Sequence, residues 1–448
     1  MTTSVVRGRC SFSSAAAAAA SRRRRRPAPE AGERRARRSQ LYAWGVTVSG
    51  AVGCTEVLRP TKHERPLPFL NRPYRVKESA RLNPTSVACG YGFTMLGRKS
   101  RGNRKVFVCG LNTNGQLGLH RGRGGEAMQW LPELRALELP LTEHQIADIH
   151  VTHIACGRAH SLIGLSTGEL YALGNNAHGQ CGRPVVAEEA YGRRESLAAV
   201  QEWDESATGG GLRQLVCGLD HSLALTRLGH LYAFGLGADG QTGVGTLGSH
   251  WRPTRVGGDL LGEKVVSVAS SGDTALAVSA SGDLFGWGNN EYGQLLGHFR
   301  RDDDRSFQHS CPRRLPFARK VREVAASGSS CALVDEEGQA WVWGYGLLGQ
   351  GPAVRFRTEP SPLPMPLFGA ESAANRDGVK VERVAAGPHY LAAVTAKKEL
   401  YTWGRNRNGI LGLGHDNDQY FPFKVALAAG VRQLACGSDH MAVILNDN

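Results

Sequence analysis

The 448-residue chain predicts an all-β fold: a seven-bladed β-propeller of four-stranded blades, closed by pairing the N-terminal strand with the C-terminal strand. Three observations lead there. A step of an apolar, usually aromatic, residue followed by Gly ends at Gly45, Gly110, Gly174, Gly235, Gly288, Gly344 and Gly404, and each has another Gly five positions later, from Gly50 to Gly409. The residues before each step follow period 2 rather than 3.6. The two ends of the chain carry complementary half-units.

The repeat is plainest in Ile154 to Gly182, Leu215 to Gly243 and Val268 to Gly293, with looser copies beginning at Val87, Val324 and Val384 and a last one at Leu434. Within one copy, His221 to Thr226 reads as a strand, Arg227 to Gly229 as a tight turn and Leu231 to Gly235 as the returning strand. Gly at the turn supplies positive φ without a Cβ clash. The residues Leu117, Thr242, Leu295 and Leu411, just after the second turn, are placed to plug the groove between neighbouring units. Both strands are largely apolar on both faces, so the sheets must be covered on both sides and stack like blades. Leu41 to Gly45 is a returning strand without a first strand, and Leu434 to Leu445 lacks its return. An open solenoid would carry polar caps at such ends. Joined, they complete a seventh unit, giving one propeller domain over 41–448.

Residues 1–40 hold eleven Arg, no Lys and only two acids, Glu30 and Glu33, and they are rich in Ser and Ala. That composition fits a mitochondrial transit peptide; a nuclear localisation signal at Arg22 to Arg26 and a plain solvated tail are the other readings. The segment also holds +9 of the formal +14. Residues 41–448 contain 43 basic and 38 acidic side chains, too even a balance to argue for nucleic acid by charge alone. Gly, at 57 residues, is high, but ordinary Pro content excludes collagen and disordered Pro/Gly chains. No run of 18 apolar residues indicates a membrane-spanning helix.

No phosphate loop, H-E-x-x-H or C-x-x-C is present, and neither a metal nor a cofactor is expected. Cys89, Cys156, Cys217 and Cys436 share one repeat position and read as small buried hydrophobes. His160, His221 and His440 open the first strand of three units, where others carry Phe93, Thr274, Ser330 and Tyr390; they read as structural histidines bonded between blades. Trp44, Trp287, Trp343 and Trp403 are the matching structural aromatics of the returning strands.

The units resemble the repeats of the regulator of chromosome condensation family, with its Cys-Gly-x-x-His-Ser and Gly-x-Leu-Tyr-x-Trp-Gly-x-Asn-x-x-Gly-Gln-Leu-Gly signatures, over essentially all of 41–448. Within the family, Ala88 to Thr94, Leu236 to Gly243, Gly258 to Gly262, Leu284 to Gly288 and Asp418 to Pro422 are similar to its mitochondrial branch. The resemblance implies a non-catalytic guanine-nucleotide exchange factor for a mitochondrial GTPase, namely the dynamin-related inner-membrane fusion GTPase. As the alternative, it suggests a mitochondrial large-subunit ribosome assembly scaffold contacting rRNA and assembly factors. Peripheral inner-membrane association is compatible with either, and no DNA is expected. Carried over residue by residue, the position before the first-strand His marks Asp220, Asp273 and Asp439, with His389 at the same place, as GTPase-contact candidates. An Asp capping nearby backbone amides is the alternative for each. The long segments 54–84, 119–149, 183–211 and 353–379 are the places for functional insertions. Arg121 to Gly125 could form a basic hook or a solvated loop, and nothing matches the β-wedge of the family's exchange factor residue by residue.

Overall fold

A computed structural model describes residues 39–58, 66–189, 191, 197–203, 211–296, 307–370 and 379–446. The predicted import segment lies outside them except for Ser39 and Gln40, which open the first strand. The described residues form seven antiparallel sheets of four strands each. Blades two to seven take consecutive strands and span 86–137, 151–199, 212–255, 265–314, 321–362 and 381–424. Blade one joins the two ends of the chain. Its order is Phe69–Arg75, Ser39–Val46, His440–Asn446, Val431–Cys436, with Ser39 opposite Asn446 and Gly45 opposite His440. Each end thus contributes a two-stranded hairpin, one strand more than its half-unit indicated. The innermost strands contact one another in succession around the axis, and that of blade seven meets that of blade one.

The apolar pattern on both faces has a direct cause. In blade four the second strand, His221–Thr226, is buried throughout. Leu223 and Leu225 pack with Val268 and Ala275 of blade five, whereas Ala224 packs with Leu162 and Ala172 of blade three. Period 2 therefore sorts side chains between two neighbouring blades instead of between core and water. Seven hydrophobic clusters result, one at each joint between blades. Leu117 and Leu411 are fully buried and Leu295 almost so, each inside such a cluster.

The recurrent Gly of the third strand is required twice over. All seven have φ between +89° and +121°, and a Cβ on Gly235 would lie 2.5 Å from the Asp220 carbonyl oxygen. In blades one, two and four to seven the strand register slips at this Gly, a bulge that turns the chain toward the outer strand.

The Gly five positions later needs a correction. In blade four, Gly240 closes a turn on Gly237 at 2.9 Å and Gly243 closes the next on Gly240 at 2.8 Å. In blade six the loop is three residues shorter. Gly351 N–H donates to Tyr420 O at 3.0 Å just as Gly245 N–H donates to Ser310 O at 2.9 Å, so Gly349 occupies the place of Gly243. A Cβ there would meet Trp403 Nε1 at 2.8 Å, as one on Gly243 would meet Trp287 Nε1 at 2.7 Å. Its match to Gly240 in sequence offset is a coincidence of the deletion. The tryptophans record the consequence. Trp44, Trp287 and Trp343 are buried and donate to Ile410 O, Gln241 O and Gln294 O of the preceding blade at 2.7 to 2.9 Å, while the indole N–H of Trp403 has no partner among the described residues.

The segments expected to hold insertions prove to hold outer strands: Phe69–Arg75, Trp130–Leu137, Ala198–Ala199 and Phe356–Pro362. These strands are mixed or exposed because each has a blade face but also a solvent edge, so the apolar alternation fades there.

Candidate functional site

Antiparallel order places the turns between first and second strands, and the loops between third and fourth, on one face of the ring. The strand-two hairpins and the inter-blade connections lie on the other. The first set of turns crowds the axis: Arg158 N–H donates to Leu219 O at 3.1 Å and Ser438 N–H to Gly90 O at 3.4 Å. A cavity of about 110 Å³ opens between them, lined among others by Cys89, Tyr91, Cys156, Cys217 and Cys436.

All four predicted contact residues sit on these turns. Asp220 is buried and forms a two-pronged ion pair with Arg158 of blade three. Asp273 accepts from Gln241 Nε2 at 3.2 Å; burial, then Asp239 and Asp220, push its carboxyl above the usual range. Asp439 accepts from Gly92 N–H of blade two at 3.2 Å and faces the ring of His440 at 2.9 Å. Tyr91 lies within the field of Arg158 and all three carboxylates, so the group shares one mouth of the channel. His389 is exposed and separate from them. It lines a cleft of about 130 Å³ with Ser329, Tyr345, Arg355 and Arg405, between blades six and seven beside the shortened loop. Partial desolvation by the cleft walls, aided by Arg405, pushes its ring pKa down.

The structural histidines lie beneath the same face and bond across joints. His160 meets Ser222, His221 meets Ser270 and His440 meets Thr94, at 3.1, 3.1 and 2.7 Å between side-chain atoms. The nine described cysteines are free thiols. Among the described residues no group of three or more His, Cys, Asp or Glu is arranged to hold a metal.

The stretch from Arg121 to Gly125, expected as a basic hook or a solvated loop, lies on this face. Residues 120–128 of blade two fold into a small projecting hairpin: Met128 N–H donates to His120 O at 2.7 Å, Gly122 N–H donates to Glu126 O at 2.9 Å, and Arg121 bridges to Ala127. Gly125 at φ +86° sits in its tip, and Arg121 Nη1 donates to its carbonyl oxygen at 2.7 Å. Residues 123–127 are exposed. The run Arg-Gly-Arg-Gly-Gly-Glu carries the signal, since two adjacent glycines between charged residues mark a tight reversal.

The ring of seven blades, with a Gly-centred inner turn and a bulged Trp-Gly or equivalent third strand, defines a propeller built from chromosome-condensation-type repeats. The RCC1-like domain model matches residues 106–448, and the chain belongs to that family. It is 40% identical over 422 residues to the mouse RCC1-like G exchanging factor-like protein, covering 92% of this chain and 88% of the relative. The crystal structure of human WBSCR16 superposes with a TM-score of 0.82 at 39% identity, over 91% of this chain and 98% of that one. The Saccharomyces cerevisiae protein Prp20p, at 19% identity and a TM-score of 0.72 over 92% of this chain and 93% of its own, shares the fold.

Proposed function

We propose that this propeller is a mitochondrial guanine-nucleotide exchange factor for the dynamin-related inner-membrane fusion GTPase, acting without covalent chemistry. The observation that carries the reading is the coincidence on one face of the projecting hairpin at 120–128 and the carboxylate-bearing turns at Asp220, Asp273 and Asp439. Its relationship to proteins named as RCC1-like G exchanging factor-like supports the activity class. Exchange follows if the face binds the nucleotide-free GTPase more tightly than the loaded one, since only differential affinity shifts that equilibrium. The hairpin supplies a protrusion able to enter a nucleotide site, and the half-buried Asp273 and Asp439 supply carboxylates on the same face.

The rRNA-scaffold reading draws less from the molecule. On the opposite face Arg213, Arg322 and Arg383 donate to carbonyl oxygens of the following blade at 2.8, 2.8 and 3.2 Å, so guanidinium groups suited to phosphate already hold the ring together. Among the described residues no helix is long and apolar enough to cross a membrane, and membrane association in this reading is peripheral.

The test is capture of the purified GTPase by the full chain in three states: nucleotide-free, GDP-loaded and GTP-loaded. Preference for the nucleotide-free form is expected. Equal capture of all states, together with crosslinking of large-subunit rRNA in organello, would replace the exchange reading with the scaffold one. Imaging with residues 1–40 present and absent checks the address: mitochondrial signal should be lost with them.

A further inference from the structure

The three-residue deletion in blade six changes more than the match of its glycines. In blades two to five the loop after the third strand is tied by one Gln, whose side-chain oxygen accepts an N–H of that loop: Gln116 from Asn114, Gln180 from His178, Gln241 from Asp239 and Gln294 from Tyr292, at 2.8 to 2.9 Å. Two of these side chains also tie the loop to the first turn of the next blade. Gln241 Nε2 donates to Asp273 at 3.2 Å, and Gln294 Nε2 to the Gly328 carbonyl oxygen at 3.3 Å. With Gly349 in the place of Gly243, the residue in the place of Gln241 is Leu347. Leu has no polar side chain to offer, so blade six lacks both the turn and its tie to blade seven. The cleft between the two blades lies there: Gly346 and Leu347 line it from blade six, and His389, on the turn that matches those of Asp273 and Gly328, lines it from blade seven.

The same cleft inverts the charge of this face. Where blades four, five and one carry Asp220, Asp273 and Asp439, blade seven carries His389. Arg405 follows the third-strand Gly of blade seven, at a position that holds Val46, Leu111, Asn175, Leu236, Asn289 and Tyr345 in the others, and it is the one charged residue there. Arg405 and Arg355 both line the cleft. The Arg355 guanidinium lies over the Tyr420 ring, 5.1 Å from its centroid, and Tyr345 is fixed as a wall by stacking on Tyr292 of blade five at 5.5 Å between centroids. Whereas Arg158 on this face is spent on Asp220, neither cleft guanidinium has a carboxylate partner among the described residues, and no described acidic side chain lines the cleft.

The cleft measures about 130 Å³, against the roughly 30 Å³ that one water occupies in the liquid. It has room for a phosphate group but not for the nucleoside or peptide that carries one. Two guanidinium groups match the charge of a phosphate monoester, about −1.5 to −2 at neutral pH, better than that of a single carboxylate, and each planar fork can address two oxygens. We propose that the cleft between blades six and seven is a binding site for a phosphate monoester, held by Arg405 and Arg355 with the His389 ring beside it. The phosphate enters, and its carrier, a phosphorylated side chain or a free nucleotide, stays at the mouth. The site is independent of the exchange reading, since none of Asp220, Asp273 and Asp439 lines it.

The test follows the His389 ring resonance of the full chain, carrying isotope-labelled histidine and assigned by loss of its signal in His389→Asn, during titration with phenyl phosphate at fixed pH. A saturable shift is expected, with half-saturation at least about tenfold lower than for benzoate, a monoanion on the same ring. Arg405→Gln and Arg355→Gln change exposed side chains, and each should raise half-saturation at least about tenfold with an unchanged Tm. ADP, and separately an immobilised phosphothreonine peptide pool beside its unphosphorylated counterpart, distinguish the carriers: the one bound more tightly than phenyl phosphate, with the same dependence on Arg405, is the source. No saturable shift at His389, equal half-saturation for benzoate, or an undiminished response in folded Arg405→Gln overturns the proposal. So does a cleft that binds neither ADP nor the phosphopeptides more tightly than phenyl phosphate.

Discussion

On the hairpin face, Arg213, Arg322 and Arg383 reach across joints to backbone carbonyls, and Lys320 pairs with Asp283. On the turn face Asp220 takes the guanidinium of Arg158, Asp273 is held protonation-prone by burial and by Asp239 and Asp220, and a hairpin carries the exposed residues 123–127. Cationic groups on the first face act as staples between neighbours, whereas charges on the second exceed what the joints use. Electrostatic imbalance concentrated at one mouth of a rigid ring is the pattern expected of a binding surface. It follows that changes on the two faces should separate function from stability.

The largest separation should come from the hairpin. Replacing residues 121–127 by a two-residue Gly turn is expected to abolish acceleration of nucleotide release while the thermal unfolding midpoint stays put, because none of these residues enters a blade core. Acid should produce the next largest effect, this time on stability. His160 and His221 bind protons in the unfolded chain near pH 6.5 but resist protonation in the fold down to about 3 and about 4. Stability is therefore expected to fall as pH drops below about 6.5, by roughly 1.4 kcal/mol per unit for each ring that titrates only when unfolded. His440 has the opposite sign: its contribution is complete below about 6.5 and is lost as pH rises through about 10. Urea midpoints from pH 4 to 10 check both arms, and a flat profile between 4 and 6.5 would contradict neutral buried rings at these joints.

A smaller effect sharpens the contrast at single residues. Asp273→Asn removes a crowded carboxylate without removing a cation's partner, so affinity for the nucleotide-free GTPase should drop about tenfold, or 1.4 kcal/mol, with stability unchanged or raised. Arg322→Ala should act the other way, costing about 1 kcal/mol of stability through its lost carbonyl bonds and leaving exchange intact. The smallest difference lies within one repeat position. Trp343→Phe forfeits a hydrogen bond that Trp403→Phe does not have to lose, so the first should cost about 1 kcal/mol more in paired denaturation curves.

The blades were legible in the sequence because their determinants are local. A bulged Gly with positive φ, a hairpin Gly and two buried strands recur at fixed offsets, and every copy repeats the same steric demand. Ring closure was legible too, since Leu41 to Gly45 and the C-terminal strand are halves of one pattern. The outer strands were not: with one edge in water they lose the alternation that marks a strand, and Phe69–Arg75 or Phe356–Pro362 looks like a connection. Gly349 misled for a different reason, because offset along the chain cannot distinguish a conserved turn from a deletion that brings the next Gly into the same place. At the site, the sequence placed Asp220, Asp273 and Asp439 at one repeat position and hence on one face. It could not show that Asp220 is buried against Arg158 while Asp439 accepts the Gly92 amide, since both partners come from neighbouring blades and only the ring's closure brings them together.

The most direct measurement follows release of a fluorescent GDP analogue from the inner-membrane fusion GTPase on mixing with excess unlabelled nucleotide and the full chain. Release accelerated at least about tenfold, saturating with propeller concentration and absent with the hairpin-replaced variant, is the expected result. An unchanged release rate with a propeller that still unfolds cooperatively would contradict the assignment of this face to nucleotide exchange.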